Sequence, residues 1–304
     1  MTQLLNALPG ALAQGLIWGV MAIGVYITYK VLDIADLTVD GSICTGAAVC
    51  TMLLLGGQSP WLALLCAVLA GVLAGAVTGL LHVGLGIPPI LAGILTQMVL
   101  WSVNLKLLGK ANQALPARTT PVLLSQMDVG GALPVLLGFC VVLVALLVLF
   151  FGTELGCALR ATGCNPVMSR AQGVNTGLMK VVGLALSNGV VALSGALLCQ
   201  YQGYTDVNMG RGAVVIGLAA VVIGQAVLGR RGGRMAVQLG GVILGAVIYY
   251  IVYQVIIFAG FDTDLLKMFS AVVVAVFLGV PHIRDQIRTN SRIKKGGSRH
   301  AENA

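Results

Sequence analysis

Nine long, almost uncharged apolar runs follow one another through this chain, and they leave few folds open to it. They lie at roughly 10–30, 42–57, 60–82, 86–105, 132–151, 178–199, 212–228, 235–258 and 265–281. A continuous run of about twenty such residues crosses a bilayer as a helix, because a helix satisfies every backbone N–H and C=O within itself. A membrane β-barrel would instead show short segments alternating in polarity. The expectation is an all-α polytopic membrane protein with about nine transmembrane helices, within a range of eight to ten. The run at 42–57 is short for a crossing and the run at 86–105 opens on Pro88-Pro89, so either can be broken or re-entrant.

Composition agrees. Of 304 residues 58% are hydrophobic and 9% charged, with a mean hydropathy of +0.97, where a soluble domain carries about a quarter charged residues. The 41 glycines recur in small-residue stretches such as Ala70–Gly75 and Gly240–Gly245, which let helix backbones approach closely. The net charge of +8 is concentrated at the end of the chain, in Arg284, Arg288, Arg292, Lys294, Lys295 and Arg299. A basic run after a last apolar segment fits a cytoplasmic end facing anionic lipid and not nucleic acid. The seven cysteines fall mostly within apolar runs and lack metal-ligand spacing, so free thiols are expected. The first ten residues have no basic start of a cleavable signal.

Placing the C-terminus inside puts thirteen of the eighteen basic residues on the cytoplasmic face: Lys30, Arg160, Arg170, Lys180, Arg230, Arg231, Arg234 and the six in the tail. The positive-inside rule then sets the N-terminus outside and makes the polar interlude from Thr153 to Thr176 cytoplasmic. That interlude is punctuated. Thr153 can cap a turn ending at Gly163, and Asn165 can cap a second helix with Pro166 at its first position and Gly173 beyond its end. Val167, Met168 and Ala171 can share one face of this second helix, giving a small amphipathic knob suited to docking. The organisation expected is a transmembrane domain over 1–281, carrying the loop at 153–176, and a basic tail over 282–304.

Two stretches echo each other. Asp36 to Ser42 is followed by Thr45-Gly46-Ala47-Ala48-Val49, and Asp206 to Gly212 by Gly217-Leu218-Ala219-Ala220-Val221. The first follows an inward crossing and the second an outward one, the arrangement of an inverted-topology repeat. No nucleotide-binding glycine loop and no catalytic constellation is present, and His82, His282 and His300 sit near run ends or in the tail. The middles of the runs hold neutral polar groups such as Gln97, Asn104, Asn188, Gln225, Gln238 and Gln254, suited to hydrogen bonds between helices. Asp36, Asp40, Asn208 and Arg211, beside the glycine breaks, are the better candidates for a translocation pathway, with Asn188 among them.

The polar loop, Ala219-Ala220-Val221-Val222-Ile223-Gly224 and the basic turn Gly229–Arg234 together resemble the permeases of branched-chain amino acid and ribose type bacterial ABC importers. Gln14-Gly15, Ala22-Ile23-Gly24 and Asp36–Gly41 are similar to that family's first span and the motif after it. Asp36–Gly41 with Gly109-Lys110-Ala111-Asn112 resembles a less characterised subgroup associated with tryptophan or tyrosine uptake. The resemblance implies a type II importer pore subunit of the bacterial inner membrane that is not itself an enzyme and binds no cofactor. ATP and Mg would be held by partner ATPase subunits, with a second permease copy and an extracytoplasmic substrate-binding lipoprotein completing the assembly. By correspondence of motif, Glu154, Gly156, Arg160, Ala161, Gly163, Asn165 and Gly173 form the coupling loop, and Val167, Met168 and Arg170 the surface that meets the ATPase. An ion-coupled carrier and a non-transporting membrane scaffold are the competing possibilities; the first does not explain the loop, and the second explains only the loop.

The charge distribution makes a topological prediction. A cysteine placed at Lys294 or Lys295 should resist an impermeant thiol reagent in whole cells, while one at Asp262 or Asp264 should react; the reverse pattern would overturn the orientation.

Overall fold

A computed structural model describes residues 2–116, 120–228 and 234–258, with isolated positions at 268, 272, 275 and 279. The expected crossing at 265–281, the tail at 282–304, the turn residues Arg230 and Arg231, and the labelling sites Asp262, Asp264, Lys294 and Lys295 lie largely or wholly outside the described residues. Ten α-helices fill the rest: α1 (Thr2–Tyr26, continued as a π-helical turn over Ile27–Val31), α2 (Val39–Leu55), α3 (Pro60–Gly84), α4 (Pro89–Leu108), α5 (Val129–Gly152), α6 (Glu154–Cys164), α7 (Pro166–Ala171), α8 (Thr176–Gln202), α9 (Ala213–Leu228) and α10 (Met235–Phe258). Two three-residue strands, β1 (Asn112–Ala114) and β2 (Tyr204–Asp206), pair antiparallel with Asn112 opposite Asp206.

The helix boundaries follow from local chemistry. Ser59 caps α3 with Pro60 at its first position, and Asp128 and Asn175 accept hydrogen bonds from Gly131 N and Leu178 N at the heads of α5 and α8. Gly109 and Gly203 end α4 and α8 with φ of 72° and 76°, a conformation glycine adopts without steric cost. The diproline at 88–89 does not break the run at 86–105; Pro89 opens α4, which continues unbroken for 20 residues.

Among the described residues six helices are long and apolar enough to cross a membrane; α2 and α9 are shorter. At the centre α1 and α8 run antiparallel, joined where Ser194 Oγ donates to Ile17 O at 2.7 Å and Ser187 Oγ to Gly24 O at 2.8 Å. Their most apolar windows are 78% and 72% buried, against 22% for α4 and α5, so the first pair is core and the second is rim. Around this pair the packing is exchanged: α8 lies on α2 and α3, and α1 lies on α9 and α10. Helices α1–α3 thus correspond to α8–α10, and the antiparallel central pair makes the two triplets inverted copies, as the sequence echo implies.

The run at 42–57 is broken, as its shortness allowed, and so is the run at 212–228, which was drawn as a whole span; each helix begins at mid-depth. After α1 reaches the end of the bundle that carries α6 and α7, the chain turns back through residues 32–38 and starts α2 beside Asn188, the middle of α8. In the second half the chain leaves α8 at the opposite end, returns through 207–212 and starts α9 beside Asp40. Each crossing is completed by an irregular segment and a short helix, the form that non-helical backbone takes when it is buried within protein.

Close approach relies on glycine. A Cβ at Gly71 or Gly75 of α3 would collide with the Asn188 or Leu184 carbonyl of α8, and one at Gly46 of α2 with the Ala192 backbone. Gly138, on α5, has nothing near the position of its missing Cβ. Gly75→Ala should therefore lower the detergent melting temperature, at a cost of about 1–3 kcal/mol, whereas Gly138→Ala should be neutral or slightly stabilising. Equal losses from both would show that the α3–α8 contact is not glycine-dependent.

Candidate translocation and coupling sites

The N-termini of α2 and α9 meet at mid-depth, and each leaves backbone N–H groups without helical partners. Two aspartates accept from three of the N–H groups at these heads. Asp36 Oδ1 accepts from Thr38 N at 2.8 Å at the head of α2. Asp40, in the first turn of α2, reaches across to α9: its two carboxylate oxygens accept from Gly212 N and Val214 N, both at 3.0 Å. Two positive helix ends facing one another favour acidic groups between them, so the carboxylates are held by backbone amides and helix dipoles. Gly210 packs against the Asp40 carbonyl, where a Cβ would collide. The echo in the sequence is thus one contact seen from both sides.

Behind Asp36 runs a buried polar string. Asp36 Oδ2 accepts from Asn188 Nδ2 at 2.7 Å, and Asn188 Oδ1 accepts from Ser42 Oγ at 2.6 Å. Thr38 Oγ1 lies 2.8 Å from Thr78 Oγ1, which donates to Thr96 Oγ1 at 3.0 Å. The string ties the start of α2 to α3, α4 and α8. Of the pathway candidates, Asp40 and Arg211 line a cavity of about 580 Å³, while Asp36 and Asn188 are buried in the string and away from that wall. Asn208 is exposed on the 207–212 segment, its N–H donating to Asp206 Oδ1 at 2.6 Å. The same cavity is walled by Gln97, Met98, Trp101 and Asn104 of α4, which composition alone did not single out as a group. The signal was present as a polar and aromatic i, i+4, i+7 face along α4: Gln97, Trp101 and Asn104.

At the loop end, Thr153 Oγ1 accepts from Gly156 N at 3.3 Å and opens α6. Asn165 Oδ1 accepts from Val167 N at 3.1 Å and Met168 N at 3.0 Å, Pro166 is the first residue of α7, and Gly173 follows with φ of +83°. Val167 and Met168 are 76% and 63% exposed, Ala171 is exposed beside them, and Ser169 is buried against the bundle. Gly156 and Gly163 sit where side chains would strike the Phe150 carbonyl and the Val31 carbonyl. Gly163 thereby seats α6 on the π-helical end of α1. Arg160 is exposed, its Nη2 donating to Phe151 O at 3.1 Å, and Arg170 Nε donates to Thr176 Oγ1 at 2.9 Å. Both arginines brace the loop against α5 and α8, whereas Glu154 and Ala161 lie exposed on α6. Leu155, 53% exposed, adds an apolar position the sequence pattern did not mark.

An inverted-repeat helical bundle with broken helices meeting at mid-depth and a capped helical knob at one end is a membrane transport permease. Residues 8–281 match the family of permease components of branched-chain amino acid transport systems, and the chain belongs to that family. It is 36% identical to a tyrosine transport system permease protein of Clostridioides difficile (strain R20291), over 95% of this chain and 96% of that one. It is 34% identical to an uncharacterized protein, RP368, of Rickettsia prowazekii (strain Madrid E), over 90% and 97% of the two chains. It is 29% identical to the autoinducer 2 import system permease protein LsrC of Escherichia coli (strain K12 / DH10B), over 67% of this chain and 60% of the relative. No solved structure matches the chain at a significant level.

The bond from Asp40 to α9 makes a graded prediction. Asp40→Ala, which leaves the α9 amides unpaired, should cost about 0.5–2 kcal/mol and lower the melting temperature, and Asp40→Asn, which keeps one of the two acceptor oxygens, should restore only part of it. Indistinguishable melting of Asp40→Ala and wild type would remove Asp40 from this role.

Proposed function

We propose that the chain is the pore subunit of an ATP-driven importer for a small polar solute, an amino acid and by preference an aromatic one. Two ATPase subunits holding ATP and Mg bind at the loop end, a second permease copy completes the pathway, and an extracytoplasmic lipoprotein delivers the substrate. In this arrangement the protein lies in the bacterial inner membrane with the loop end and C-terminus cytoplasmic and the N-terminus outside. Lys30, Arg160, Arg170, Lys180 and Arg234 gather at the loop end, which supports that orientation. The amino-acid assignment rests on the tyrosine permease relative and the family.

The observation that carries the proposal is α7: a short helix, capped at both ends, whose large exposed apolar residues are Val167 and Met168. Exposed apolar side chains on a rigid knob at the bundle end are a docking surface. The knob is mechanically continuous with the pathway. Arg170 ties α7 to α8 through Thr176, and Gly163 seats α6 on the end of α1. Both α1 and α8 lead to the Asp36–Asn188 contact, so movement of α7 reaches the heads of the broken helices.

The test is reconstitution of this permease with its ATPase and binding protein in proteoliposomes, measuring uptake of L-tyrosine with and without ATP. Val167→Asp should insert normally but lose the ATPase on co-purification and lower uptake at least tenfold, because docking would bury an unpaired carboxylate. An ATPase that remains bound and fully coupled to Val167→Asp would exclude α7 as the contact. Uptake that continues after ATP depletion would favour an ion-coupled carrier.

A further inference from the structure

We infer that the cavity between α4, the head of α2 and the 207–211 segment is a selectivity site for zwitterionic amino acids with an aromatic side chain. This rests on the importer function proposed above and names where in the permease its substrate is chosen. The first observation is Asn104. Its side chain is 1% exposed in the cavity wall, and neither its amide nitrogen nor its amide oxygen has a hydrogen-bond partner. A buried amide without partners is costly, and such groups are few in native structures. A ligand polar group that reaches it supplies the missing bonds.

The second observation is the charge and shape of the remaining wall. Arg211 is exposed on one side and presents a guanidinium fork suited to a carboxylate. Asp40 is half-buried, its two oxygens each already holding one backbone N–H, and a carboxylate has lone pairs left for an ammonium. One cation and one anion across a cavity match a zwitterion and disfavour a net-charged solute. Trp101 and Met98, 44% and 67% exposed on α4, supply an apolar and aromatic face. Stacked aromatic contacts contribute beyond the area they bury. The volume of about 580 Å³ falls within the range of about 300–1,000 Å³ usual for small-molecule sites, which are mostly apolar with a few placed polar groups.

Binding of labelled L-tyrosine to the full-length permease in lipid nanodiscs tests the inference, together with ATP-driven uptake in the reconstituted system. Wild type should bind L-tyrosine at least tenfold more tightly than tyramine, which lacks the carboxylate, or 4-hydroxyphenylpropionate, which lacks the ammonium. Arg211→Gln should abolish the preference over tyramine. Asn104→Leu should weaken binding at least tenfold yet melt at the wild-type temperature or higher, because removing an unsatisfied buried amide relieves its cost. Loss of binding accompanied by a lower melting temperature would make Asn104 structural and overturn its role. Should Asn104→Leu fail to insert, the exposed Trp101→Ala carries the test: it should erase the preference for L-tyrosine over L-alanine, and an unchanged preference would overturn the inference. Uptake that stays ATP-driven with wild-type selectivity in all these variants sinks the cavity and leaves the importer standing. Absence of ATP-driven uptake in the wild type sinks the importer and this inference with it.

Discussion

The fold depends on how unpaired backbone amides are satisfied far from water. Starting a helix at the middle of a bilayer exposes several N–H groups where nothing else can bond them, each at a cost of several kcal/mol if left bare. This protein starts two helices there. It meets the requirement with two carboxylates in adjacent turns, Asp36 for α2 and Asp40 for α9. Because Asp40 belongs to one inverted half and bonds the other, the halves cannot separate without stripping a half-buried carboxylate of its partners and uncovering the head of a helix. The exchanged packing of α1 on α9 and α10, and of α8 on α2 and α3, follows from the same junction.

Much of this was legible in the residues. Uninterrupted apolarity announces a helix whose backbone is self-sufficient, and the loop helices were readable because Thr153, Asn165, Pro166 and Gly173 act within a few residues of themselves. The inverted repeat was readable because its two halves keep similar residues around Asp36–Ser42 and Asp206–Gly212. What escaped is whatever depends on distance in three dimensions. Asp40 caps a helix that begins 173 positions later in the chain. The strand pair joins segments on either side of α5–α8. Short helices could not be separated from full crossings by hydropathy alone, because an irregular segment supplies the remaining depth in each half.

The arginines of the loop carry a related lesson. Charge and position suggested Arg170 as a docking residue; it is exposed, with its Nε engaged with Thr176 Oγ1, and Arg160, also exposed, is engaged with the Phe151 carbonyl. Cations near the C-terminal ends of helices satisfy carbonyls that lack partners, and here they stiffen the loop. Val167, Met168 and Leu155 are exposed beside them, so the knob offers hydrophobic area together with charge.

The small antiparallel pair of β1 and β2 lies at the end of the bundle away from the loop, where Leu115 N also donates to Gly203 O at 2.8 Å and Thr51 meets Thr205 at 2.6 Å. It fastens the chain beyond α4 to the exit of α8. Helix α8 is therefore held at both ends, by the strand pair at one and by the Arg170–Thr176 hydrogen bond to α7 at the other, and Asn188, which receives the head of α2, lies about halfway between the two supports.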